Sequence, residues 1–195
     1  FGNRNVNAGP VTTFSRHAVV SESRLTPLAE GVDLCDGAVL GCAVPTGLGS
    51  VFNTAKPEPG QSLVVFGTGG IGLCAVAGAR IAGCNPVIAV DVREERLKAA
   101  AAMGATHCSN ASVGDPLEQI LDVCPGGTDF AIEATGQPPV MAQALTAVRS
   151  RGGSAVIIGN ARSGEHVTLD PKQLNQGKRL LGTFGGDCRP DVDYP

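Results

Sequence analysis

Short apolar runs recur at regular intervals from residue 60 onward, with polar or glycine-rich stretches between them. The runs are apolar throughout instead of alternating with polar residues, which is typical of strands that are buried on both faces of a parallel sheet. We predict six strands from these runs, at residues 62–67, 86–91, 106–109, 130–134, 154–159 and 179–184.

Helical stretches lie between most of the predicted strands. Gly83 and Gly104 stand where two of them end, because glycine takes the left-handed conformation of a helix C-cap without strain. The alternation predicts an α/β fold, a Rossmann-type doubly wound parallel sheet of about six strands with right-handed crossovers. The predicted helices cover residues 70–83, 93–104, 116–124 and 138–150.

The first 60 residues show a different pattern. The pattern of residues 12–20 predicts an apolar strand, and a helical stretch runs from about Asp33 to Ala55. We expect Pro45 to begin a new helical segment after Val44, because proline lacks the N–H group that a helix interior needs. These residues therefore predict a short strand and helix ahead of the sheet.

A glycine motif, GTGGIG, joins the first predicted strand to the first predicted helix of the sheet. In a chain with 27 glycines such a motif is weak alone, but this one follows a strand directly and opens a helix. Gly67 permits a tight turn, Gly69 lets the backbone approach a pyrophosphate, and Gly72 lets the helix pack closely on the sheet. The N–H groups at the start of the helix then face the phosphates.

An acidic residue, Asp91, ends the second predicted strand, nineteen positions after the last glycine of the motif. A carboxylate there can accept hydrogen bonds from both hydroxyls of the adenosine ribose and repels a 2′-phosphate, which favours NAD over NADP. Arg96, one turn into the next helix, is within reach of the ribose or the adenine edge, although a surface charge is the commoner role. The alternative for the whole motif is a tight turn followed by a solvated strand end.

Composition limits the partners and the cellular compartment that we expect for this chain. A net charge of −3 gives no reason to expect nucleic acid or an anionic membrane surface as a partner. Seven scattered cysteines without a C-x-x-C pair argue against a disulfide framework and favour a reducing, cytoplasmic compartment. No apolar run reaches membrane-spanning length. Because the chain does not begin with methionine, we expect it to be a piece of a longer protein.

Residues 40–72, LGCAVPTGLGSVFNTAKPEPGQSLVVFGTGGIG, make the interpretation more specific. A G-C-x-x-x-T-G-x-G segment, a spacer with PGQ and then the glycine loop resemble the medium-chain, zinc-dependent alcohol dehydrogenases. The segments FAIEATG and LLGTFGGD resemble later pieces of the same family. The resemblance covers nearly the whole chain. It implies that 1–40 is a flanking segment of the catalytic domain and that 41–195 is the NAD-binding Rossmann domain.

The resemblance also implies roles for individual residues. Cys42 matches a ligand of the catalytic zinc, and Thr46 matches a threonine beside the nicotinamide ring, with Ile71 against its other face. In the family the remaining zinc ligands, a cysteine and a histidine, come from a preceding domain. We therefore expect zinc only in the full-length enzyme and little activity from this chain alone. Motif and resemblance together give the cofactor-binding positions Gly67, Gly69, Gly70, Ile71, Gly72, Asp91, Arg96, Ala134, Thr135, Ile158, Gly182 and Phe184.

The implied activity is hydride transfer between an alcohol or aldehyde and NAD, with zinc binding the alcohol oxygen. The resemblance further implies a homodimer through the edge strand near 179–184, since an unpaired apolar edge invites pairing. Three alternatives stay open: a zinc-free, NAD(P)H-dependent medium-chain reductase, a non-catalytic NAD-sensing Rossmann module, and a methyltransferase. The reductase has no need of Cys42, the sensor none of the GC…TGLG segment, and the methyltransferase none of the long second half.

Overall fold

The computed structural model describes residues 16–22 and 25–193. By their internal contacts these fall into two units, 34–188 and a smaller unit formed by the described residues of 1–33 and 189–195. The smaller unit contains the short helix α8, Pro190–Asp193. All of the predicted site residues belong to the larger unit, and the predicted boundary between residues 40 and 41 stays a prediction.

The larger unit alternates strands and helices along the chain. Its strands are β1 (Leu63–Phe66), β2 (Val87–Asp91), β3 (His107–Asn110), β4 (Phe130–Glu133), β5 (Ser154–Ile157) and β6 (Arg179–Gly182). Its α-helices are α1 (Leu34–Leu40), α2 (Ala43–Gly49), α3 (Gly70–Ile81), α4 (Glu94–Met103), α5 (Pro116–Val123), α6 (Pro138–Ala147) and α7 (Pro171–Asn175). Helix α2 continues into a π-helical turn, Ser50–Ala55, and a 3₁₀ turn, Gly185–Asp187, follows β6.

The six strands form one parallel sheet in the order β3-β2-β1-β4-β5-β6. Successive residues of β1 feed two separate cores, because side chains alternate between the faces of a strand. Val65 packs with the apolar faces of α3 and α4, and Phe66 packs with those of α5 and α6. This confirms the predicted Rossmann-type fold. The strand order reverses between β1 and β4, which is where such sheets open a crevice.

Two details of the first 60 residues differ from expectation. The predicted strand at 12–20 lies partly outside the described residues, and its described part, 16–20, is not a strand. The helix break falls at Gly41 and Cys42 instead of before Pro45. The Thr46 N–H group donates to the Cys42 carbonyl oxygen at 3.0 Å, so Pro45 lies inside the first turn of α2, where no intrahelical N–H donor is required.

Helix α7 was not predicted, although its sequence carries a start signal. Asp170 accepts a hydrogen bond at 2.9 Å from the Lys172 N–H group, and Pro171 occupies the first helical position. An aspartate cap followed by proline is a common helix start. The helix is short and mostly exposed, with no buried residue, so its apolar periodicity is too weak to detect.

No single helix among the described residues is long and apolar enough to cross a membrane. Residues 34–40 and 43–55 pass that test by length and composition only when they are joined across a bend of 44°.

A polar network joins the amino-terminal ends of β1 and β4. The Asp129 carboxylate accepts hydrogen bonds from the Ser62 N–H group at 2.9 Å and the Ser62 hydroxyl at 2.7 Å, and it pairs with the Arg149 guanidinium at 2.6 Å. Burial by itself raises the pKa of Asp129, but the bonds from Ser62 and Arg149 outweigh it and hold that pKa below its ordinary value. The network therefore favours the ionised carboxylate in the folded state.

We predict that Asp129→Ala lowers the free energy of unfolding at pH 7 by about 1–3 kcal/mol, because Ser62 and Arg149 lose their acceptor. A carboxyl whose pKa is lowered by folding stabilises the fold above its unfolded pKa, and the effect is lost as pH falls through the folded value. Urea unfolding at neutral pH and below about pH 4 measures both effects. The difference between wild type and variant should shrink in acid. The exposed Asp122→Ala is the control, and an unchanged difference in acid would contradict the assignment.

Candidate cofactor-binding site

A cleft of about 270 Å³ opens beyond the carboxyl ends of β1, β2 and β4, at the point where the strand order reverses. The glycine loop after β1 forms one side of it, and residues after β2 and β4 form the others. Six of the predicted cofactor residues line this cleft: Gly67, Gly69, Asp91, Arg96, Ala134 and Thr135. The remaining predicted residues lie outside its lining.

The three motif glycines meet different surroundings. Gly67 has a φ of 84°, and a Cβ atom added there would lie 2.6 Å from the Thr135 Cγ2 methyl group. A Cβ atom at Gly72 would lie 1.8 Å from the Gly67 carbonyl oxygen, so this contact requires glycine. A Cβ atom at Gly69 would meet no protein atom within 4 Å. The absent side chain at Gly69 therefore leaves room for a ligand in the cleft and serves no packing contact.

This arrangement fits a diphosphate. Gly69 caps α3, a helix of 12 residues, and lines the cleft. The N–H groups of a first helical turn have no partner within the helix, and the helix dipole favours negative charge at that end. A bare backbone at the start of a helix is the arrangement by which Rossmann domains bind the pyrophosphate of a dinucleotide.

Both carboxylate oxygens of Asp91 accept hydrogen bonds. Its residue is 6% exposed, and its Oδ2 accepts hydrogen bonds from the Thr68 N–H group at 2.8 Å and the Thr68 hydroxyl at 3.1 Å. Its Oδ1 accepts from the Arg93 N–H group at 3.0 Å, and the Arg96 guanidinium lies 3.7 Å from Oδ2. Burial by itself raises the pKa of Asp91, but these donors outweigh it, so the pKa lies below its ordinary value.

The hydrogen bonds of Asp91 limit what it can offer a ligand. An ionised carboxylate has about four acceptor positions, and Thr68 and Arg93 take three of them. One position on Oδ1 is left for a ribose hydroxyl. Sequence reasoning missed Thr68, the fully buried residue between the first two motif glycines. Its signal was a hydroxyl side chain at a loop position that faces the end of the neighbouring strand.

The start of α2 lies against the start of α3. A Cβ atom at Gly47 would lie 2.4 Å from the Ile71 carbonyl oxygen, and one at Gly70 would lie 3.9 Å from the Ala43 Cβ atom. Cys42 is exposed at the beginning of α2, and Thr46 is buried one turn later. The fold therefore brings Cys42, Thr46, Gly70 and Ile71 to one helix junction, although they come from two separate segments.

Three further predicted residues lie at or just beyond the ends of β5 and β6. The Ile158 N–H group donates to the Glu133 carbonyl oxygen at 2.9 Å, so its own carbonyl is the group left for a ligand. Gly182 ends β6 in register with Ile157. Phe184 is 95% exposed, and its N–H group lies 3.5 Å from the Asp187 carboxylate.

The 3₁₀ turn that follows Phe184 packs on α2. A Cβ atom at Gly186 would lie 2.3 Å from the Pro45 carbonyl oxygen, and the Cys188 thiol donates to that same oxygen at 3.1 Å. The Asp187 carboxylate accepts a hydrogen bond at 2.7 Å from the Thr54 hydroxyl. These contacts bring the segment after β6 beside the helix that carries Thr46.

The donor set for zinc is incomplete within the described residues. They contain no group of three His, Cys, Asp or Glu side chains that could hold a metal ion. A catalytic zinc needs about three protein ligands and one open position. Cys42 can supply one thiolate, so the part of the chain that the structure describes does not form a zinc site by itself.

The strand order and the glycine loop define a Rossmann domain of the dinucleotide-binding class. More narrowly, the chain belongs to the zinc-binding dehydrogenase family. The model of this family matches residues 70–194.

Its relatives are enzymes of about twice its length. The S-(hydroxymethyl)glutathione dehydrogenase of Synechocystis sp. is 41% identical over 181 residues, which cover 90% of this chain and 48% of that relative. Among solved structures, benzyl alcohol dehydrogenase from Acinetobacter calcoaceticus matches with a TM-score of 0.87 at 33% identity, over 91% of this chain and 49% of that chain. The chain thus spans about half the length of the curated relatives it matches.

A third similar protein bears on the cofactor. It comes from Sinorhizobium meliloti 1021, is assigned as a zinc-binding dehydrogenase and was solved bound to NADP. It matches with a TM-score of 0.74 at 30% identity, over 80% of this chain and 46% of that chain. Both nicotinamide dinucleotides therefore have to be considered for this fold.

Two glycine variants separate a role in binding from a role in packing. We predict that Gly69→Ala keeps wild-type stability but binds NAD at least tenfold more weakly, because the new methyl group enters the cleft and meets no protein atom. Gly72→Ala should lower the free energy of unfolding by about 1–3 kcal/mol, because its methyl group overlaps the Gly67 carbonyl. Calorimetry and urea unfolding on both variants measure the two effects. Undiminished NAD binding by Gly69→Ala would contradict the diphosphate assignment.

Proposed function

We propose that this chain is the NAD-binding part of an alcohol dehydrogenase that transfers a hydride between an alcohol or aldehyde and NAD. The cleft at the strand reversal carries the proposal, because it joins an open glycine position at a helix start to a buried carboxylate at the end of the next strand. Membership of the zinc-binding dehydrogenase family and similarity to a benzyl alcohol dehydrogenase support the reaction class.

NAD, and not NADP, is the proposed cofactor. The lowered pKa of Asp91 keeps its carboxylate ionised at neutral pH, beside the position where NADP carries its 2′-phosphate. Two neighbouring negative groups, the Asp91 carboxylate and a 2′-phosphate, repel each other strongly in a partly buried site. The positive charge of Arg96 by itself would attract a 2′-phosphate and favour NADP. Its guanidinium, however, lies 3.7 Å from Asp91 Oδ2 and partly balances the charge of that carboxylate.

The bound nicotinamide supplies the hydride acceptor, and the chain supplies binding and orientation. Gly69 and the start of α3 hold the diphosphate, while the free acceptor position of Asp91 holds one ribose hydroxyl.

Thr46 and Ile71 flank the nicotinamide end of the site. The Ile158 carbonyl and the backbone at Gly182 and Phe184 orient the carboxamide. Ala134, Thr135 and Arg96 close the sides of the cleft.

The remaining parts of the proposal concern the whole protein. Cys42 contributes one ligand to a catalytic zinc whose other ligands lie beyond the described residues. The outermost strand β6, where Leu180 is 39% exposed, pairs with its mate in a homodimer. The enzyme acts on a small alcohol or aldehyde in the cytoplasm, without a nucleic acid or membrane partner.

The cofactor preference is tested by a matched pair of neutral substitutions. Asp91→Asn should shift the ratio of NAD to NADP dissociation constants towards NADP by about tenfold or more, equal to at least about 1.4 kcal/mol, because it removes the repulsion. Asp129→Asn makes the same chemical change at the amino-terminal end of β4, away from the cleft, and should leave the ratio unchanged. Calorimetric titration with both dinucleotides gives the ratio. An unchanged ratio in Asp91→Asn would show that this carboxylate does not face the ribose.

The metal role is tested in the full-length enzyme. We expect Cys42→Ser to lower bound zinc and alcohol turnover together while NAD affinity stays within about twofold, because Cys42 lies outside the lining of the adenosine cleft. Elemental analysis, turnover and calorimetry measure the three quantities. Cys108→Ser, at an exposed cysteine of the edge strand β3, is the control. Full turnover with full zinc in Cys42→Ser would contradict the ligand role of Cys42, and full turnover without zinc in wild type and variant would favour the zinc-free reductase.

A further inference from the structure

A fully buried glutamate, Glu133, ends β4 at the centre of the sheet. It lies in register with Phe66, the last residue of β1, so it stands at the strand reversal where the cleft begins. Glutamate is almost never fully buried unless its carboxylate is paired. Glu133 does not line the cleft, so direct contact with a ligand does not account for this position.

One carboxylate oxygen of Glu133 holds the turn that follows β4. Its Oε1 accepts hydrogen bonds from the Thr135 N–H group at 2.7 Å and the Gly136 N–H group at 3.0 Å, and the Thr135 hydroxyl also donates to it. Three donors on one oxygen fix the position of this turn. Thr135 lines the cleft, so Glu133 sets the place of a wall residue without reaching the cleft itself.

The backbone of Glu133 holds a second segment. Its carbonyl oxygen accepts hydrogen bonds from the N–H groups of Ile158 at 2.9 Å and Gly159 at 3.0 Å, just beyond the end of β5. A Cβ atom at Gly159 would lie 2.1 Å from the Gly136 nitrogen and 2.6 Å from Glu133 Oε2. The turn after β4 and the segment after β5 are therefore packed against each other around this one residue.

The same turn also meets the glycine loop. A Cβ atom at Gly67 would lie 2.6 Å from the Thr135 Cγ2 methyl group, so Thr135 fits against Gly67 with no space for a side chain there. Moving Thr135 would therefore disturb the wall and the diphosphate loop together. The Glu133 carboxylate controls that position through the three donors on Oε1.

The second carboxylate oxygen adds a cost. Glu133 Oε2 is buried and has no hydrogen-bond partner among the described residues. A buried polar atom without a partner disfavours folding, so an apolar residue would be expected at a site whose only role is packing. A glutamate here is explained by the donors that its other oxygen satisfies.

We propose that Glu133 is a positioning residue for the nicotinamide dinucleotide. Its carboxylate holds the Thr135–Gly136 turn in the position in which Thr135 can flank the bound cofactor. This inference rests on the proposed function. The requirement is an acceptor oxygen at the position of Oε1, with the full reach of a glutamate side chain, and not the negative charge as such.

A pair of conservative variants separates reach from charge. Glu133→Gln keeps the length and an amide oxygen that can accept from the same three donors, so its dissociation constant for NAD should stay within threefold of wild type. Glu133→Asp keeps the charge but draws the carboxylate back by one methylene group, so its NAD dissociation constant should rise at least fivefold. Calorimetry on the chain measures both. Equal affinities, or the reverse order, would overturn the proposal.

A second measurement reports on the turn without the cofactor. Amide hydrogen exchange of Thr135 and Gly136 should be slow in wild type and in Glu133→Gln, and at least tenfold faster in Glu133→Asp. Ile132→Ala, at the preceding buried position of the same strand, is the control for general destabilisation. It should lower the melting temperature while NAD affinity stays within twofold. If Ile132→Ala weakened NAD as much as Glu133→Asp, Glu133 would have only a structural role.

The outcomes distinguish this proposal from the proposed function. Absence of NAD and NADP binding by the wild-type chain would contradict the function itself. Wild-type binding together with unchanged affinity and exchange in Glu133→Asp would overturn the positioning role alone.

Discussion

The site depends on one close backbone contact, between the loop after β1 and the first turn of α3. At Gly72 a single added carbon atom would overlap the Gly67 carbonyl oxygen at 1.8 Å. Because the strand and the helix approach so closely, α3 begins directly after the loop that follows β1, and its N-cap residue Gly69 lines the cleft at the strand reversal. The other features of the site are placed relative to this junction.

Two buried carboxylates flank that junction and act in the same way. Asp91, at the end of β2, accepts hydrogen bonds from the backbone and side chain of Thr68 in the glycine loop. Glu133, at the end of β4, accepts them from the backbone and side chain of Thr135. Each carboxylate thus holds a threonine in a neighbouring loop through a backbone and a hydroxyl donor. Asp91 keeps one acceptor position towards the cleft, whereas Glu133 acts only through its loop.

The nicotinamide end of the proposed site has a different construction. Glycines at 47 and 186 allow α2 to pack against α3 on one side and against the turn after β6 on the other. The contacts involve backbone atoms, so a side chain at either glycine would push these segments apart. Cys42 and Thr46 therefore reach the start of α3 through packing of small residues, and polar contacts play a smaller part.

The sequence by itself determined the six strands, the four helices that join the first five of them and the glycine motif, because apolar periodicity and glycine are local signals. It also identified Asp91, since an acidic residue at a strand end is visible in the chain. It placed the helix break wrongly at Pro45, because the Thr46 to Cys42 hydrogen bond that starts α2 leaves no mark in the apolar pattern. Only the tertiary structure decided that Thr68 occupies Asp91 Oδ2, that Glu133 holds the turn at Thr135, and that Gly47 and Gly186 bring α2 to the site. The Thr68 and glycine contacts join residues that are distant in the chain, and the Glu133 contact, although local, depends on the burial of this side chain at the end of β4.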